Sequence, residues 1–185
     1  MTGARVTAIV LAGGRSQRFG SDKLAAPLGA TTVLDATLAG IPGDWLVVCV
    51  GPPRPVCRAV TWVLESPPDG GPLAGIAAGV AACTTEMVVV VAGDMPWSGP
   101  ALVALVTRLA DAGPQVEGVV ARDPLGWANP LLAAYRTAAV RAALPDSAHG
   151  RPAKLLLTLP HEELAVTGPP AQDVDTPEDL AAGGR

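Results

Sequence analysis

Short apolar runs alternate with longer helical patterns along the chain. Six of these runs are rich in valine, isoleucine and leucine and have strand length, which predicts strands at Ala4–Leu11, Trp45–Val50, Thr61–Leu64, Met87–Val91, Gly118–Ala121 and Leu131–Tyr135. The Ala/Leu-rich stretches between them predict helices at Thr32–Ala39, Pro72–Cys83, Pro100–Asp111, Thr137–Leu144 and Pro152–Leu159, with a last one starting near Pro177. Because the strands carry few polar residues, we expect helices on both faces of the sheet.

The alternation of strands and helices contains no repeat, heptad pattern or charged linker. It therefore predicts a single α/β domain over residues 1–185, a three-layer α/β/α sandwich with a mostly parallel, Rossmann-like sheet and one antiparallel strand. A chain of 185 residues is long enough to bury about two-thirds of its unfolded surface in one core.

A glycine-rich segment follows the first strand. Gly13 and Gly14 let the backbone approach a ligand closely, and the cations after them, including Arg18 and Lys23, are suited to neutralising phosphates. The spacing matches neither the G-x-G-x-x-G dinucleotide fingerprint nor the G-K-[ST] of a P-loop. An ordinary turn with solvated cations is the alternative, but the combination favours a nucleoside triphosphate site.

A second candidate site follows the Met87–Val91 run. That strand delivers Asp94 to its carboxyl-terminal edge, where open α/β sheets bind ligands. A carboxylate there suits Mg²⁺, which is held by one or two carboxylates together with substrate phosphates. A helix cap is the alternative, although Ser98 or Gly99 is better placed to cap the following helix. We expect Lys23 and Asp94 to share one crevice and to contact the same polyphosphate.

Two further segments carry chemistry of lower specificity. The Gly70–Gly71 backbone and the helix beginning at Pro72 are suited to forming a second wall of a base pocket, although glycines there also permit close helix packing. Near the C-terminus, Asp173 and Asp175 flank one residue ahead of a predicted helix. A capping box with proline at the first helical position explains at most one of these two acids.

The segment Leu11–Lys23 closely resembles the opening motif L-A-G-G-x-S-x-R-hydrophobic-G-x-D-K of cofactor- and sugar-activating nucleotidyltransferases. In its details it is similar to the molybdenum cofactor guanylyltransferase family, with Phe19 where that family usually has methionine. The resemblance implies that the backbone of Leu11, Ala12, Gly13 and Gly14 lies against the base and sugar. It also implies that Arg18 and Lys23 hold the triphosphate and act in catalysis.

The resemblance continues through three later motifs. Gly71–Gly75 matches the family's G-P-L-A-G segment, which adds Gly71 to the base pocket. The family usually has an aspartate shortly before these glycines that accepts from the guanine edge. Here Ser66 or Glu65 is the nearest equivalent, with Asp69 as another candidate. Asp94 matches the D-x-P pattern that the family uses for magnesium, and Asp175 is implied as a second metal ligand.

Three residues are implied on the acceptor side. Asp173 belongs to the family's C-terminal motif, and Asn129 stands where the family has histidine or glutamine before Pro-Leu. Arg151 lies in the small basic cluster His149–Lys154, which is suited to an anionic acceptor, while a solvated loop is the alternative. His161, beside two glutamates, is expected at the surface.

Composition narrows the class of partner. The net charge of −4 and an aromatic content of 3% argue against binding nucleic acid, so the cations near the glycines suit a small anionic ligand. The three cysteines are odd in number and lack C-x-x-C spacing, which predicts neither a zinc site nor a disulfide framework. No apolar run is long enough to span a membrane and no signal peptide is apparent, so we expect a cytoplasmic protein without membrane contact.

The resemblance implies a magnesium-dependent enzyme that transfers GMP from GTP to the phosphate of molybdenum-bearing molybdopterin and releases pyrophosphate. It further implies transient contact with molybdoenzymes or cofactor-synthesis proteins. One alternative is a cytidylyl- or other nucleotidyltransferase acting on molybdopterin, a sugar phosphate or phospholactate. A second is a nucleotide-binding domain without turnover. A dehydrogenase is disfavoured because the dinucleotide fingerprint is absent.

Overall fold

The computed structural model describes residues 6–13, 22–171 and 173–174. Within them the strands are, in chain order, β1 (Val6–Leu11), β2 (Pro27–Leu28), β3 (Thr31–Thr32), β4 (Leu46–Val50), β5 (Thr61–Val63), β6 (Met87–Ala92), β7 (Gly118–Arg122), β8 (Ala128–Arg136) and β9 (His161–Ala165). Seven of them form one sheet in the order β5-β4-β1-β6-β8-β7-β9, and β2 and β3 form a separate short hairpin.

The large sheet is parallel except at one strand. β1 pairs in parallel with β4 and β6, β4 with β5, and β7 with β9. β8 runs antiparallel to both of its neighbours, β6 and β7. The predicted mostly parallel sheet with one antiparallel strand is therefore confirmed. The chain leaves β1 toward β4 and β5 and then crosses to β6 on the other side, so a topological switch point lies between β1 and β6.

Helices cover both faces of this sheet, as the apolar strands predicted. The α-helices are α1 (Val33–Ala39), α2 (Pro72–Ala81), α3 (Gly99–Asp111) and α4 (Thr137–Ala143). Leucines of α1 and α3 pack in one core with Val10 and Val91, whereas α2 and α4 pack in a second core with Ile9 and Val90 on the opposite face. Alternate residues of β1 and β6 thus supply the two cores, which gives three layers.

The helix α2 lies unusually close to β1. A methyl group added to Gly79 would lie 2.5 Å from Cγ2 of Ile9, and one added to Gly75 would lie 3.2 Å from Cδ2 of Leu11. The glycines therefore permit close helix–sheet packing. This packing places the first turn of α2 beside the carboxyl end of β1.

Two sequence predictions about elements are wrong. The residues predicted as a helix at Pro152–Leu159 form a 3-10 helix over Ala153–Thr158, which lies between Pro152 and Pro160; Pro160 has no N–H with which to continue helical bonding. The strand β9 was not predicted, since His161–Ala165 contains no β-branched residue; pairing with β7 makes it a strand. His161, which was expected at the surface, is the first residue of β9 and is half-buried. The helix expected near Pro177 lies outside the described residues.

The described cysteines are free thiols, consistent with the absence of a predicted disulfide framework. Cys49 and Cys83 are buried and Cys57 is exposed. Burial raises the pKa of the Cys49 thiol to about 12, although Arg58 and Arg54 lower it in part. Among the described residues, no helix has both the length and the apolar character needed to cross a lipid bilayer.

Candidate functional site

A cavity of about 440 Å³ opens at the carboxyl edge of the sheet, beside the switch point between β1 and β6. It is lined by residues from six places in the chain: the end of β1, the turn of 3-10 helix at Lys23, the end of β4, the segment from Glu65 into α2, the end of β6 with the turn after it, and the first part of β8. The lining residues are Leu11, Gly13, Lys23, Leu24, Val50, Glu65, Asp69, Gly71, Pro72, Gly75, Ala92, Asp94 and Leu131.

The end of β1 forms the floor of this cavity. The Ala12 N–H donates to the Val50 carbonyl at 2.8 Å, and the Leu11 carbonyl accepts from the Gly93 N–H at 3.0 Å. Leu11 and Gly13 line the cavity, whereas Ala12 is buried behind it. These hydrogen bonds to the ends of β4 and β6 hold the backbone of Leu11 and Ala12 in position. Gly14 lies outside the described residues.

Gly51 allows the end of β4 to approach β1 closely. Its φ is +147°, and an added methyl group would lie 2.7 Å from the carbonyl carbon of Ala12 and 2.8 Å from the nitrogen of Gly13. These neighbours are backbone atoms, which cannot move aside as a flexible side chain can. The sequence analysis did not select Gly51, although a glycine directly after an apolar strand and before two prolines was an available signal.

Lys23 and Asp94 meet at the mouth of the cavity. The Lys23 ammonium Nζ lies 2.5 Å from Asp94 Oδ2, and the two side chains are 13% and 18% exposed. Lys23 begins a 3-10 helix (Lys23–Ala25) whose N-cap is the Asp22 carboxylate. The two residues lie 71 positions apart and come together as expected. Arg18, the second predicted cation, lies outside the described residues.

The carboxylate of Asp94 has a free coordinating oxygen. Oδ1 is buried and has no hydrogen-bond partner among the described residues. A buried oxygen of this kind is costly unless a donor or a cation satisfies it. In the part of the chain that the structure describes, no group of three or more histidine, cysteine or acidic side chains surrounds a common point. A cation at Asp94 therefore requires further oxygen ligands, which substrate phosphates and water supply for Mg²⁺.

The C-terminal segment adjoins Asp94. The Val174 N–H donates to the Asp94 carbonyl at 2.9 Å, and the Val174 side chain is fully buried against Ala26 and Val33. Asp173 is exposed immediately before this anchor. The predicted acceptor residue Asp173 thus lies at the same edge of the sheet as Asp94. Asp175 lies outside the described residues.

The start of α2 forms the opposite wall. Gly71 is the N-cap of α2 with φ +83°, and Pro72 occupies the first turn. Of the three candidates for contact with the base edge, Glu65 and Asp69 line the cavity, whereas Ser66 is exposed and does not. The structure therefore places two carboxylates at the cavity, and not the Ser66 hydroxyl that the sequence analysis also selected as a candidate base contact.

Asn129 and Arg151, the other predicted acceptor residues, do not line the cavity itself but flank it. Asn129 Oδ1 accepts from the Leu131 N–H at 2.9 Å, and Leu131 lines the cavity. Arg151 is exposed and follows Gly150, whose N–H donates to the Gly70 carbonyl at 2.8 Å. The basic cluster therefore adjoins the wall at the start of α2.

Comparison with known proteins agrees with this architecture. Residues 8–163 match the model of the MobA-like NTP transferase domain. The chain is 34% identical to a probable molybdenum cofactor guanylyltransferase of Deinococcus radiodurans, over 95% of this chain and 92% of the relative. It is 32% identical to the molybdenum cofactor guanylyltransferase of Mesorhizobium japonicum, over 97% of this chain and 95% of the relative.

Solved structures share the fold. Rv0371c of Mycobacterium tuberculosis H37Rv superimposes with a TM-score of 0.71 at 28% identity, covering 99% of this chain and 98% of its own. A complex of the same protein with manganese gives a TM-score of 0.65 at 25% identity, with 98% of each chain covered. The chain is thus a nucleotidyltransferase, and it belongs to the MobA-like NTP transferase family, among the molybdenum cofactor guanylyltransferases.

Proposed function

We propose that this protein transfers GMP from GTP to the phosphate of a molybdenum-bearing molybdopterin and releases pyrophosphate. The observation that carries the proposal is the contact of Lys23 with Asp94 beside a cavity that also contains Leu11, Gly13 and Gly71. One cation, one carboxylate with a free oxygen and two glycine segments in one crevice are the groups that a nucleoside triphosphate requires. The family relationship supports the same reaction.

The reaction needs no nucleophile from the protein. An oxygen of the acceptor phosphate attacks the α-phosphorus of GTP, a new phosphorus–oxygen bond forms, and the bond to the bridging oxygen of the leaving pyrophosphate breaks. Catalysis then consists of positioning and of neutralising charge on the phosphates. We assign Lys23, together with Arg18, to the charge that develops on the pyrophosphate.

Asp94 is the proposed ligand of Mg²⁺, and Asp175 is the proposed second ligand. The buried, unpartnered Oδ1 of Asp94 fits a hard cation that takes oxygen ligands. When bound, the ion supplies charge that neutralises phosphate oxygens. The Lys23 ammonium contacts Oδ2 of this carboxylate, so that the ammonium and the cation would be held by different oxygens of Asp94.

The base contacts are proposed from the chemistry of guanine. Guanine presents two N–H donors, at N1 and N2, on one edge, and a carboxylate can accept from both. Glu65 and Asp69 are carboxylates that line the cavity, and Glu65 is half-buried. Cytosine offers a single amino donor on its corresponding edge, so a carboxylate here favours guanine. Asp173, Asn129 and Arg151 are proposed on the acceptor side.

A transfer assay tests the proposal. Purified protein is incubated with molybdenum-loaded molybdopterin, magnesium and either GTP or CTP, and both dinucleotide and pyrophosphate are measured. We expect product with GTP and a decrease on the order of 10²-fold or more for Lys23→Met and Asp94→Asn. The matched control Asp111→Asn alters an exposed carboxylate at the end of α3 and should retain full activity. Product with CTP in preference to GTP, or full activity in Asp94→Asn, would contradict the proposal.

A further inference from the structure

An exposed ion pair lies one residue before Lys23. Arg54 Nη1 donates to Asp22 Oδ2 at 2.6 Å, and the side chains are 23% and 52% exposed. The other oxygen of the same carboxylate, Oδ1, accepts from the Leu24 N–H at 3.2 Å and caps the 3-10 helix that Lys23 begins. Asp22 therefore joins Arg54 to the backbone on both sides of Lys23.

The segment Gly51–Arg54 contacts both ends of residues 13–22. At one end, Gly51 lies so close to Gly13 that an added methyl group would be 2.8 Å from the Gly13 nitrogen. At the other end, Arg54 holds Asp22. Two prolines separate the two contacts, and their fixed φ angles limit the freedom of the segment. One short segment after β4 thus contacts the chain at Gly13, at the end of β1, and at Asp22, directly before Lys23.

The arrangement of Arg54 is poorly explained by folding stability. Exposed ion pairs contribute little to the free energy of unfolding. Arg54 Nε is also buried without a hydrogen-bond partner among the described residues, which is unfavourable. A side chain that contributes little to stability but fixes the residue before a proposed phosphate ligand suggests a role at the site.

We infer that Arg54 is a positioning residue for Lys23, acting through Asp22. The Arg54–Asp22 pair and the Asp22 cap hold the backbone of Lys23, so that its ammonium is directed at Asp94 and at the phosphates of the nucleotide beside it. Arg54 itself is not among the residues that line the cavity. The inference rests on the proposed function, because it requires that Lys23 contacts the nucleotide.

The test is a double-mutant cycle on the binding of GTP with magnesium, measured by calorimetry. We expect Arg54→Met to weaken binding on the order of tenfold, because a displaced cation loses much of its interaction with phosphate. Asp22→Asn keeps an oxygen for the cap but weakens the ion pair, and should shift affinity in the same direction. Arg54→Lys retains a charge opposite Asp22 and should recover most of the loss.

The decisive comparison is made in the Lys23→Met background. There Arg54→Met should change GTP affinity by less than about twofold, since residues that act through one another are not additive. Equal weakening in both backgrounds, or wild-type affinity of Arg54→Met, would overturn the inference. Thermal unfolding checks that the variants fold. If Arg54→Met does not fold, Asp22→Asn replaces it in both backgrounds, and Arg54→Lys remains the variant that should bind GTP nearly as well as the wild type.

A matched control breaks a comparable ion pair elsewhere. Arg108 Nε lies 2.7 Å from Glu162 Oε2 on an exposed surface that includes β9, at the opposite edge of the sheet from β5. Arg108→Met should leave GTP affinity unchanged. If the wild type does not bind GTP, or if Lys23→Met binds it equally well, the proposed function itself fails. If Lys23→Met weakens binding and Arg54→Met does not, only the role of Arg54 fails.

Discussion

The close approach of β4 to β1 at Gly51 predicts a large effect of one methyl group. In Gly51→Ala the new carbon would lie 2.7 Å from backbone atoms of Ala12, at a φ of +147° that side chains rarely adopt. Overpacking of this kind costs about 1–3 kcal/mol. Adopting a sparsely populated φ costs about 1–3 kcal/mol more. We therefore expect the free energy of unfolding to fall by about 2–6 kcal/mol, which at about 2–4 °C per kcal/mol lowers Tm by about 4–24 °C in a chain of this size.

Substitutions at two other glycines separate the cost of the steric overlap from the cost of the unfavourable φ. Gly29 has φ +62° and no atom within 4 Å of an added methyl group, and Gly43 has neither a positive φ nor a close neighbour. Gly29→Ala should cost about 1–2 kcal/mol from its φ. Gly43→Ala should stay within about 0.5 kcal/mol of the wild type.

The free energies of unfolding of the three variants, measured with urea, should rank Gly51→Ala as the least stable and Gly43→Ala as the most stable. GTP binding by the same variants shows whether the site is affected. The displaced Ala12–Gly13 backbone should weaken GTP binding in Gly51→Ala but not in Gly29→Ala. If Gly51→Ala is as stable as Gly29→Ala, or if both bind GTP equally, the close contact of β4 with β1 does not constrain the site and the reasoning is refuted.

Two further predictions concern parts of the molecule away from the cavity. Arg58 donates to the carbonyls of Ile41 and Leu38 at 2.8 and 3.2 Å, so Arg58→Met should lower the free energy of unfolding by about 1–3 kcal/mol. GTP affinity should not change, because Arg58 lies beside the start of β4; an altered affinity measured by calorimetry would contradict this. The pKa of Cys49, raised from 9.0 to about 12 by burial, predicts that the unfolded state loses its proton first as pH rises. Stability should therefore be intact below pH 9 and fall by about 1.4 kcal/mol per pH unit above it. In Cys49→Val, the free energy of unfolding, measured with urea between pH 8 and 10, should fall less with pH than in the wild type. An equally steep fall in both proteins would refute the burial of this thiol.

The sequence predicted the layers of the fold because its strands are apolar on both faces. Ile9 and Val10 alternate between two cores, and only a sheet covered on both sides buries such a pair. The same reasoning failed at β9, where Glu162 and Glu163 have no strand pattern. These side chains pair with Arg108 and Arg122, so the strand exists through contacts that no local pattern reveals.

The presence of Asp94 and Lys23 in one site could be predicted from their positions relative to the strands. Asp94 and Lys23 each stand at a recognisable strand end or glycine loop, and the topology brings such ends to one edge. Their direct contact depends on how the 3-10 helix at Lys23 is held, which involves Arg54 in a loop without a motif. The choice between Glu65, Ser66 and Asp69 likewise depends on the path of the chain after β5, which sequence spacing does not determine.

A crystal structure with GTP and magnesium bound tests whether one crevice holds the triphosphate. We predict that the metal is bound by the Asp94 carboxylate, that the Lys23 ammonium contacts a phosphate oxygen, and that the guanine lies in the cavity between Leu11 and Pro72. A nucleotide bound elsewhere on the molecule, or one whose phosphates contact neither Lys23 nor a metal at Asp94, would contradict the proposed site.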